Sequence, residues 1–554
     1  MGDTDKPGDG AANTNRHGKR DREHGMFHDP LVSAQTKERE REMDKPLNSM
    51  RKKGRLADVY SFVSKYRPGT PIGVRPPLRG RYNVIFVVDF TDGSALLRVA
   101  VPGAVAYSDE KVRAEVATML YVEKMTSIPV PHIYHWGTVA DNPLGMGAFI
   151  IMDYIPHHQS LAQLLAEPTV KDDNLACLKD DNRACFKDDN RACLDPKVPR
   201  ETLARMYRQV AGILLQLSKL EMPRIGTLQQ DASGSFSVIT RPMTEEMNDL
   251  LIHSGTPWSV LPDYHTTYET SDEWYAALAD VHVAHLTFQH NRAVESADDC
   301  RDKFVARHLV RQRARAGGNF GTARRQRKST KKKEKFRLWI DGFRPQNILV
   351  DADLNIVGVI DWEWAYFAPE SYVQDPPWWL LLGRPEHWRG TVLEFRDEFV
   401  KSLDVFIKEL RAAEEEHLAS DAAGTAAART GEGQNDRPIN QQLRSLNLEA
   451  DATIRLSDRM RQNWDSGLFW ANYAARNRDG FDPVFWEFLD ERFFGENVEG
   501  GYEGRMHLLS EKVKWRMERF VERKMEETKE SKIVEWDADE AKSDLAEILA
   551  DLDK

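Results

Sequence analysis

Residues 338–369 read LWIDGFRPQNILVDADLNIVGVIDWEWAYFAP. Asn347-Ile348-Leu349-Val350 predicts a short strand, Asp351-Ala352-Asp353 a turn, and Ile356-Val357-Gly358-Val359-Ile360 the return strand. Asp361 stands at the exit of that second strand, so pairing of the two strands brings Asn347 and Asp361 to one end of the hairpin. An amide oxygen and a carboxylate that converge in this way are hard donors of the kind Mg²⁺ takes.

On the N-terminal side, the run from Tyr82 to Phe90 is rich in β-formers. Thr91-Asp92-Gly93-Ser94 predicts a turn, and Ala95 to Val101 the partner strand. Ser108 is the expected N-cap of a helix over Asp109 to Lys124, with Val112, Val116, Met119 and Leu120 on one face. Phe149-Ile150-Ile151-Met152 reads as a buried strand. Residues 51–155 thus form a small sheet with one helix, and from Arg200 onward the pattern is mainly helical.

Together these segments resemble the aminoglycoside phosphotransferase and choline kinase superfamily, in particular its fungal-type phosphotransferase members. The family pattern H-x-D-x-x-x-x-N, two strands and then I-D-W-E is matched by Asn347-Ile348-Leu349-Val350-Asp351 and by Val359-Ile360-Asp361-Trp362-Glu363. The resemblance implies a two-lobed, protein-kinase-like α+β fold, with a small antiparallel-sheet N-lobe and a mainly helical C-lobe. It implies ATP and Mg²⁺ as cofactors, with Asn347 and Asp361 holding the metal. Arg98 would contact phosphate, with Glu115 as its ion-pair partner. Asn83 would lie in the loop over the phosphates, and Met152, Asp153 and Tyr154 would line the adenine pocket. The expected reaction is ATP-dependent phosphoryl transfer to a hydroxyl of a small molecule, in which an Asp accepts the hydroxyl proton and metal neutralises phosphate charge. Glu363, Glu370 and Asp375 are candidates for acidity in an acceptor pocket. The likeness extends through Asp375-Pro376-Pro377-Trp378-Trp379 and through Phe481-Asp482-Pro483-Val484-Phe485-Trp486.

The pattern breaks at one place. Five residues before Asn347 stands Gly342, where the family carries its catalytic Asp, and Ile340 occupies the position of the His. Asp341 is one residue too early and is the candidate displaced base. Two readings remain open: an impaired phosphotransferase, or a catalytically silent nucleotide-binding scaffold.

The remainder bounds the chain. Its 554 residues exceed one core, and a net charge of -11 argues against global nucleic-acid binding. Four cysteines, three of them in an octad repeat at 171–194, fit a reducing compartment better than a disulfide scaffold. The repeat reads as a duplicated surface insertion, with a soft-metal site as the alternative. Residues 311–335 hold eleven Lys or Arg against the single acid Glu334 and read as a solvated loop, with a nuclear-import or polyanion patch as the alternative. No apolar run spans a bilayer and no signal peptide or lipidation motif is evident, so the expectation is a cytoplasmic or nuclear chain. Residues 1–50 are expected to be disordered, 156–412 to form the C-lobe, 413–437 to be a low-complexity linker, 438–520 to be helices packing on the C-lobe, and 521–554 to be a charged tail. Leu545, Ile548, Leu549 and Leu552 in that tail have the spacing of an apolar face, for a protein partner or for the parent domain.

Overall fold

The computed structural model describes residues 26, 28–50, 53–167, 193–316, 334–388, 390–430 and 454–552. Most of the octad repeat and most of the basic run, residues 317–333, lie outside these, as do residues 1–25 and 431–453.

Two helices, α1 (Pro30–Met50) and α2 (Lys53–Val63), precede the sheet of the small lobe. Its strands are β1 (Pro71–Val74), β2 (Leu78–Arg79), β3 (Asn83–Phe90), β4 (Gly93–Ala100), β5 (Ile133–Gly137) and β6 (Phe149–Asp153). They are antiparallel in the order β1-β3-β4-β6-β5, with β2 also on β3. The β3–β4 hairpin closes over Thr91-Asp92 with Phe90 opposite Gly93. Helix α3 (Ser108–Met125) packs Val112, Val116, Met119 and Val122 into the core beneath the sheet. Ser108 is its first residue and not its cap; Tyr107 stands at the N-cap without a side-chain hydrogen bond.

After β7 (Gln159–Ser160) and α4 (Leu161–Leu165), the second lobe is mainly helical. Its first long helix is α5 (Arg200–Leu217), followed by β8 (Glu221–Met222) and the hairpin β9 (Thr227–Gln230) and β10 (Phe236–Thr240). Then come α6 (Glu245–His253), α7 (Ser271–Phe288) and α8 (Ala297–Arg315). Residues 336–369 fold as two nested hairpins. The outer pairs β11 (Phe336–Ile340) with β14 (Ala365–Pro369), and the inner pairs β12 (Ile348–Val350) with β13 (Ile356–Val359). The inner turn is held by Asp351, whose Oδ1 accepts from the amides of Asp353 and Asn355. The architecture is the two-lobed α+β arrangement that the resemblance implies.

Several expectations differ from what is observed. Residues 30–50 are helical, not disordered: α1 docks on α6, where the Thr36 hydroxyl donates to the Ile252 carbonyl at 2.5 Å. The start of the basic run is the end of α8, and there Arg311 is buried and its Nε donates to Asp280 at 2.6 Å. A guanidinium at this depth is paired because an uncompensated buried charge is costly. The stretch after Glu414 continues helix α9 (Val392–Thr430) to residue 430 and does not begin a linker. In the tail, helix α10 (Ala538–Leu552) buries Ala541 and Leu545 and lays Ile548 and Leu549 against the chain's own core. Of that apolar face, Leu545 is thus covered within the molecule and Ile548 and Leu549 are half-buried.

Candidate active site

The site forms where the nested hairpins part. Ile340 pairs with Ala365 and Ile348 with Val359, so residues 341–347 and 360–364 cross side by side between the two hairpins. The Ile360 amide donates to the Asn347 carbonyl at 2.9 Å, and the Asp341 amide to the Trp364 carbonyl at 3.4 Å. Asp361 and Trp364 have φ of 65° and 61°. Non-glycine residues in the left-handed region carry a cost of order 1 kcal/mol, which the surrounding structure must sustain. Here the reversed residues aim the Asp361 and Glu363 carboxylates at the small lobe.

Arg98 meets them from β4. Its guanidinium is ion-paired with Glu115 on α3, with Asp361 at 2.5 Å and with Glu363 at 2.7 Å. Lys111, one helical turn before Glu115, is ion-paired with Glu363 and lies 3.9 Å from Glu115. Asn83, at the start of β3, donates to Glu363 at 3.1 Å and accepts from Lys111 at 3.3 Å. From the other hairpin, Asn347 Nδ2 donates to the Gly342 carbonyl at 2.8 Å and to Asp361 Oδ2 at 3.2 Å. Of the expected residues, the structure thus brings together Arg98, Glu115, Asn83, Asn347 and Asp361.

Arg98 and Lys111 are shared among Glu115, Asp361 and Glu363. Burial alone would raise the Glu363 pKa, but Lys111 and Arg98 outweigh it and hold the group down at about 2. Asp361 is pushed up to about 7, first by burial and then by the negative charge of Glu363, against the pull of Arg98. Glu363 thus keeps the larger share of the cations. Glu363 is 2% exposed and is committed to this network, which removes it from the expected acceptor pocket. Asp375 is likewise buried, held by Asn463, Asn472 and Arg476. Glu370 bonds Arg337 on the far strand of the outer hairpin.

Met152, Asp153 and Tyr154 stand apart from this cluster. Arg98 pairs with Ile150 and Leu96 with Met152, so Met152 is one strand repeat further along the face that carries Arg98. Asp153 accepts from the Tyr134 hydroxyl at 2.5 Å. The Tyr154 amide donates to the Ser94 carbonyl at 3.1 Å, and its ring lies under the Arg75 guanidinium.

Asp341 is not brought into the cluster. Its Oδ1 accepts from Trp339 Nε1 at 2.7 Å and its Oδ2 from the Glu245 amide at 3.3 Å, at the start of α6. Burial pushes its pKa up to about 6. A Cβ on Gly342 would lie 2.9 Å from the Asp361 carbonyl oxygen and 3.8 Å from Asn347 Nδ2. A side chain at 342 would therefore leave the backbone beside both candidate metal ligands, and the backbone at 342 or 361 must shift to admit it.

Among the described residues, no group of three His, Cys, Asp or Glu side chains is placed to hold a metal ion. The chemistry of the donor set nevertheless suits Mg²⁺, which takes one or two protein oxygens and completes its shell with phosphate and water. The Asn347 amide oxygen and the Asp361 carboxylate are such donors. The Asp361 oxygens are engaged by Arg98 and Asn347, so a cation there competes with a guanidinium.

Sequence reasoning missed Lys111. A lysine four residues before Glu115, among the apolar positions of the helix, was the available signal.

No protein-family model matches the chain, and no curated protein does. The chain is similar to several solved structures. One is a thermostable aminoglycoside phosphotransferase mutant in complex with AMP-PNP and hygromycin B, at 14% identity, covering 71% of this chain and 100% of that one, with a TM-score of 0.32. Another is a protein assigned as an aminoglycoside phosphotransferase from Ralstonia eutropha JMP134, at 10% identity, covering 80% and 96%, with a TM-score of 0.35. A third is assigned as a fructosamine-3-kinase from Thermobifida fusca YX-ER1, at 11% identity, covering 84% and 98%, with a TM-score of 0.33. At these identities and TM-scores the likenesses carry no weight for function, which rests on the geometry. Among the described residues, no helix is long and apolar enough to cross a membrane.

Proposed function

We propose that this chain carries the nucleotide site of an ATP-dependent small-molecule phosphotransferase, acting on a hydroxyl and impaired by the glycine at 342. The observation that carries the reading is the meeting of Arg98, Glu115, Asn347 and Asp361 at one point between the two lobes. A guanidinium held by one carboxylate on α3 is positioned to turn from Asp361 to phosphate oxygens. Asn347 and Asp361 would hold Mg²⁺, which when bound supplies charge neutralisation on the phosphates. Asn83 anchors the loop between β2 and β3 beside Glu363. Met152, Asp153 and Tyr154 would form the adenine side. What is missing is a proton acceptor for the attacking hydroxyl. General-base assistance is worth about 10²–10⁴-fold, so positioning and electrostatics alone leave slow transfer.

One observation favours a second reading, a silent nucleotide-binding scaffold. Asp341, the carboxylate adjacent in sequence to the glycine, is tied to Trp339 and to the start of α6. If those bonds persist when nucleotide binds, no base enters the site.

The test is magnesium-dependent ATP binding by calorimetry together with ATP turnover, for the parent chain, Gly342→Asp, Gly342→Ala and Asp361→Ala. Binding in the parent with turnover gained only by the Asp variant supports the impaired enzyme. Binding without turnover in any form supports the scaffold. Absence of binding in all forms, unchanged by Asp361→Ala, rejects both.

A further inference from the structure

Helix α6 presents Glu245, Asn248 and Asp249 on one face, at i, i+3 and i+4, and all three are buried against the small lobe. Arg81, in the turn between β2 and β3, donates to Asp249 at 2.6 Å and to Glu245 at 3.3 Å. The neighbouring Tyr82 hydroxyl is within bonding distance of the same two acids, 2.9 Å from Asp249 and 3.1 Å from Glu245. Asn248 accepts from the Ala106 amide at 3.0 Å and donates to the Ala104 carbonyl at 3.3 Å, in the loop that leads into α3. Just before α6, Arg241 makes a two-point contact with Glu110 in the first turn of α3, at 3.0 and 2.9 Å. One nine-residue helix of the second lobe thus grips both the β2–β3 turn and the loop before α3.

The same helix reaches the other half of the site. The amide of Glu245 donates to Asp341, next to Gly342. Helix α1 lies along the same seam. The Asp29 amide donates to the His253 carbonyl at 2.9 Å and Thr36 to Ile252, while Glu40 approaches Arg79 on β2 at 3.4 Å. His28 stacks on His253 with ring centroids 4.6 Å apart.

We infer that α6 is a lobe latch: Glu245 and Asp249 hold the Arg81-Tyr82 turn down on the second lobe, and this contact must open for a ligand to reach the Arg98–Asp361 cluster, with α1 as a strap across the seam. The lobe contact stands on the bonds themselves, and the gating of a ligand rests on the proposed nucleotide site. Lifting the turn would strip two buried carboxylates of the Arg81 guanidinium and the Tyr82 hydroxyl together. Asn83, which donates to Glu363, is the next residue along. Glu245 and Asp249 are positioning residues, acting on the site through Arg81 and Tyr82.

The experiment uses the full chain and two small-lobe variants, Tyr82→Phe and Arg81→Gln. Arg81 has 42% of its side chain exposed, so glutamine in its place removes little packing and keeps a donor near Glu245 and Asp249. Amide hydrogen exchange is followed over residues 78–90. Hydrogen bonds to charged groups are strong enough that losing one should accelerate local opening by about 10-fold or more. Faster exchange confined to that segment is the expected result, in variants whose near-ultraviolet circular dichroism is unchanged. Exchange within about twofold of the parent in both variants, less than the loss of even a weak hydrogen bond, overturns the latch. Stopped-flow association of a fluorescent ATP analogue is measured on the same proteins. Faster association in the variants supports gating. Unchanged association with faster exchange overturns the gating clause. No binding by any form, with faster exchange, removes the nucleotide reading and leaves the lobe contact standing.

Discussion

The two segments that cross between the nested hairpins differ in what they carry. Residues 360–364 present two carboxylates: Asp361 is held by Arg98 of the small lobe and the Asn347 amide of the second, and Glu363 by Arg98 and Lys111 of the small lobe. Residues 341–347 present Asn347 but place glycine at 342, and the carboxylate beside it is taken into the packing of the second lobe. Asp361 and Asp341 are both half-buried acids with raised pKa, yet one faces a guanidinium from the small lobe and the other an indole and a helix start. On the proposed reading, holding a nucleotide and activating an acceptor are separable tasks in this architecture. Charge is present where several groups depend on it, and absent where one side chain would serve a single task.

The largest effect is expected at position 342. Gly342→Asp should raise ATP turnover by ~10²–10⁴-fold, while Gly342→Ala gives none of that gain. Coupled assays of ADP release check this. Turnover unchanged in the Asp variant, with nucleotide affinity intact, would put the defect elsewhere than the base.

The other segment is probed by Glu363→Ala, which strips Arg98 and Lys111 of a shared buried partner. Stability should fall by ~3–5 kcal/mol in urea unfolding, as when one member of a buried pair is removed. A loss near the ~0–1 kcal/mol of a surface pair would mean that the network is not structural.

Asp341→Asn separates the two segments through pH. The folded pKa of Asp341, about 6, lies above the ordinary 3.8. A raised carboxyl binds its proton more tightly when folded, so its contribution is full below about pH 4. It is lost as pH rises through about 6 and is flat above. The parent should therefore lose stability relative to the Asn variant across that window. Parallel stability curves would show that Asp341 is not buried as described.

Asp361→Ala is expected to have the smallest effect of the four. It should weaken Mg²⁺-dependent ATP affinity by ~10–100-fold, as loss of groups that support a metal does, and leave binding in EDTA little changed. Equal weakening in both conditions would assign Asp361 to the nucleotide alone.

Much of the inner hairpin was legible because its signals are local. An apolar run, an Asp-rich turn and a second apolar run leave Asn347 and Asp361 one arrangement at the open end. The strand and helix that carry Arg98 and Glu115 were legible in the same way, but the two residues themselves were singled out only by the family resemblance. What was not legible depends on contacts distant in sequence. Helix α1 is polar almost throughout and docks through isolated points such as Asp29 and Thr36, so no apolar period announced it. Arg311 looked like part of a solvated run because its partner, Asp280, is on another helix. Lys111 and the acids of α6 are ordinary surface residues by composition; only the meeting of the lobes buries them. The absence of a side chain at 342 could be read from sequence, but the direction in which Asp341 turns could not.

The left-handed backbone at Asp361 bears on which replacements the chain can accept over evolutionary time. At a φ of 65° the residues tolerated with least strain are glycine, asparagine and aspartate. Two of these three carry no charge. Drift at this position is therefore steered toward variants that preserve the chain path while discarding the carboxylate. Among descendants of this protein, loss of the carboxylate at 361 should be far commoner than loss of the bend that presents it.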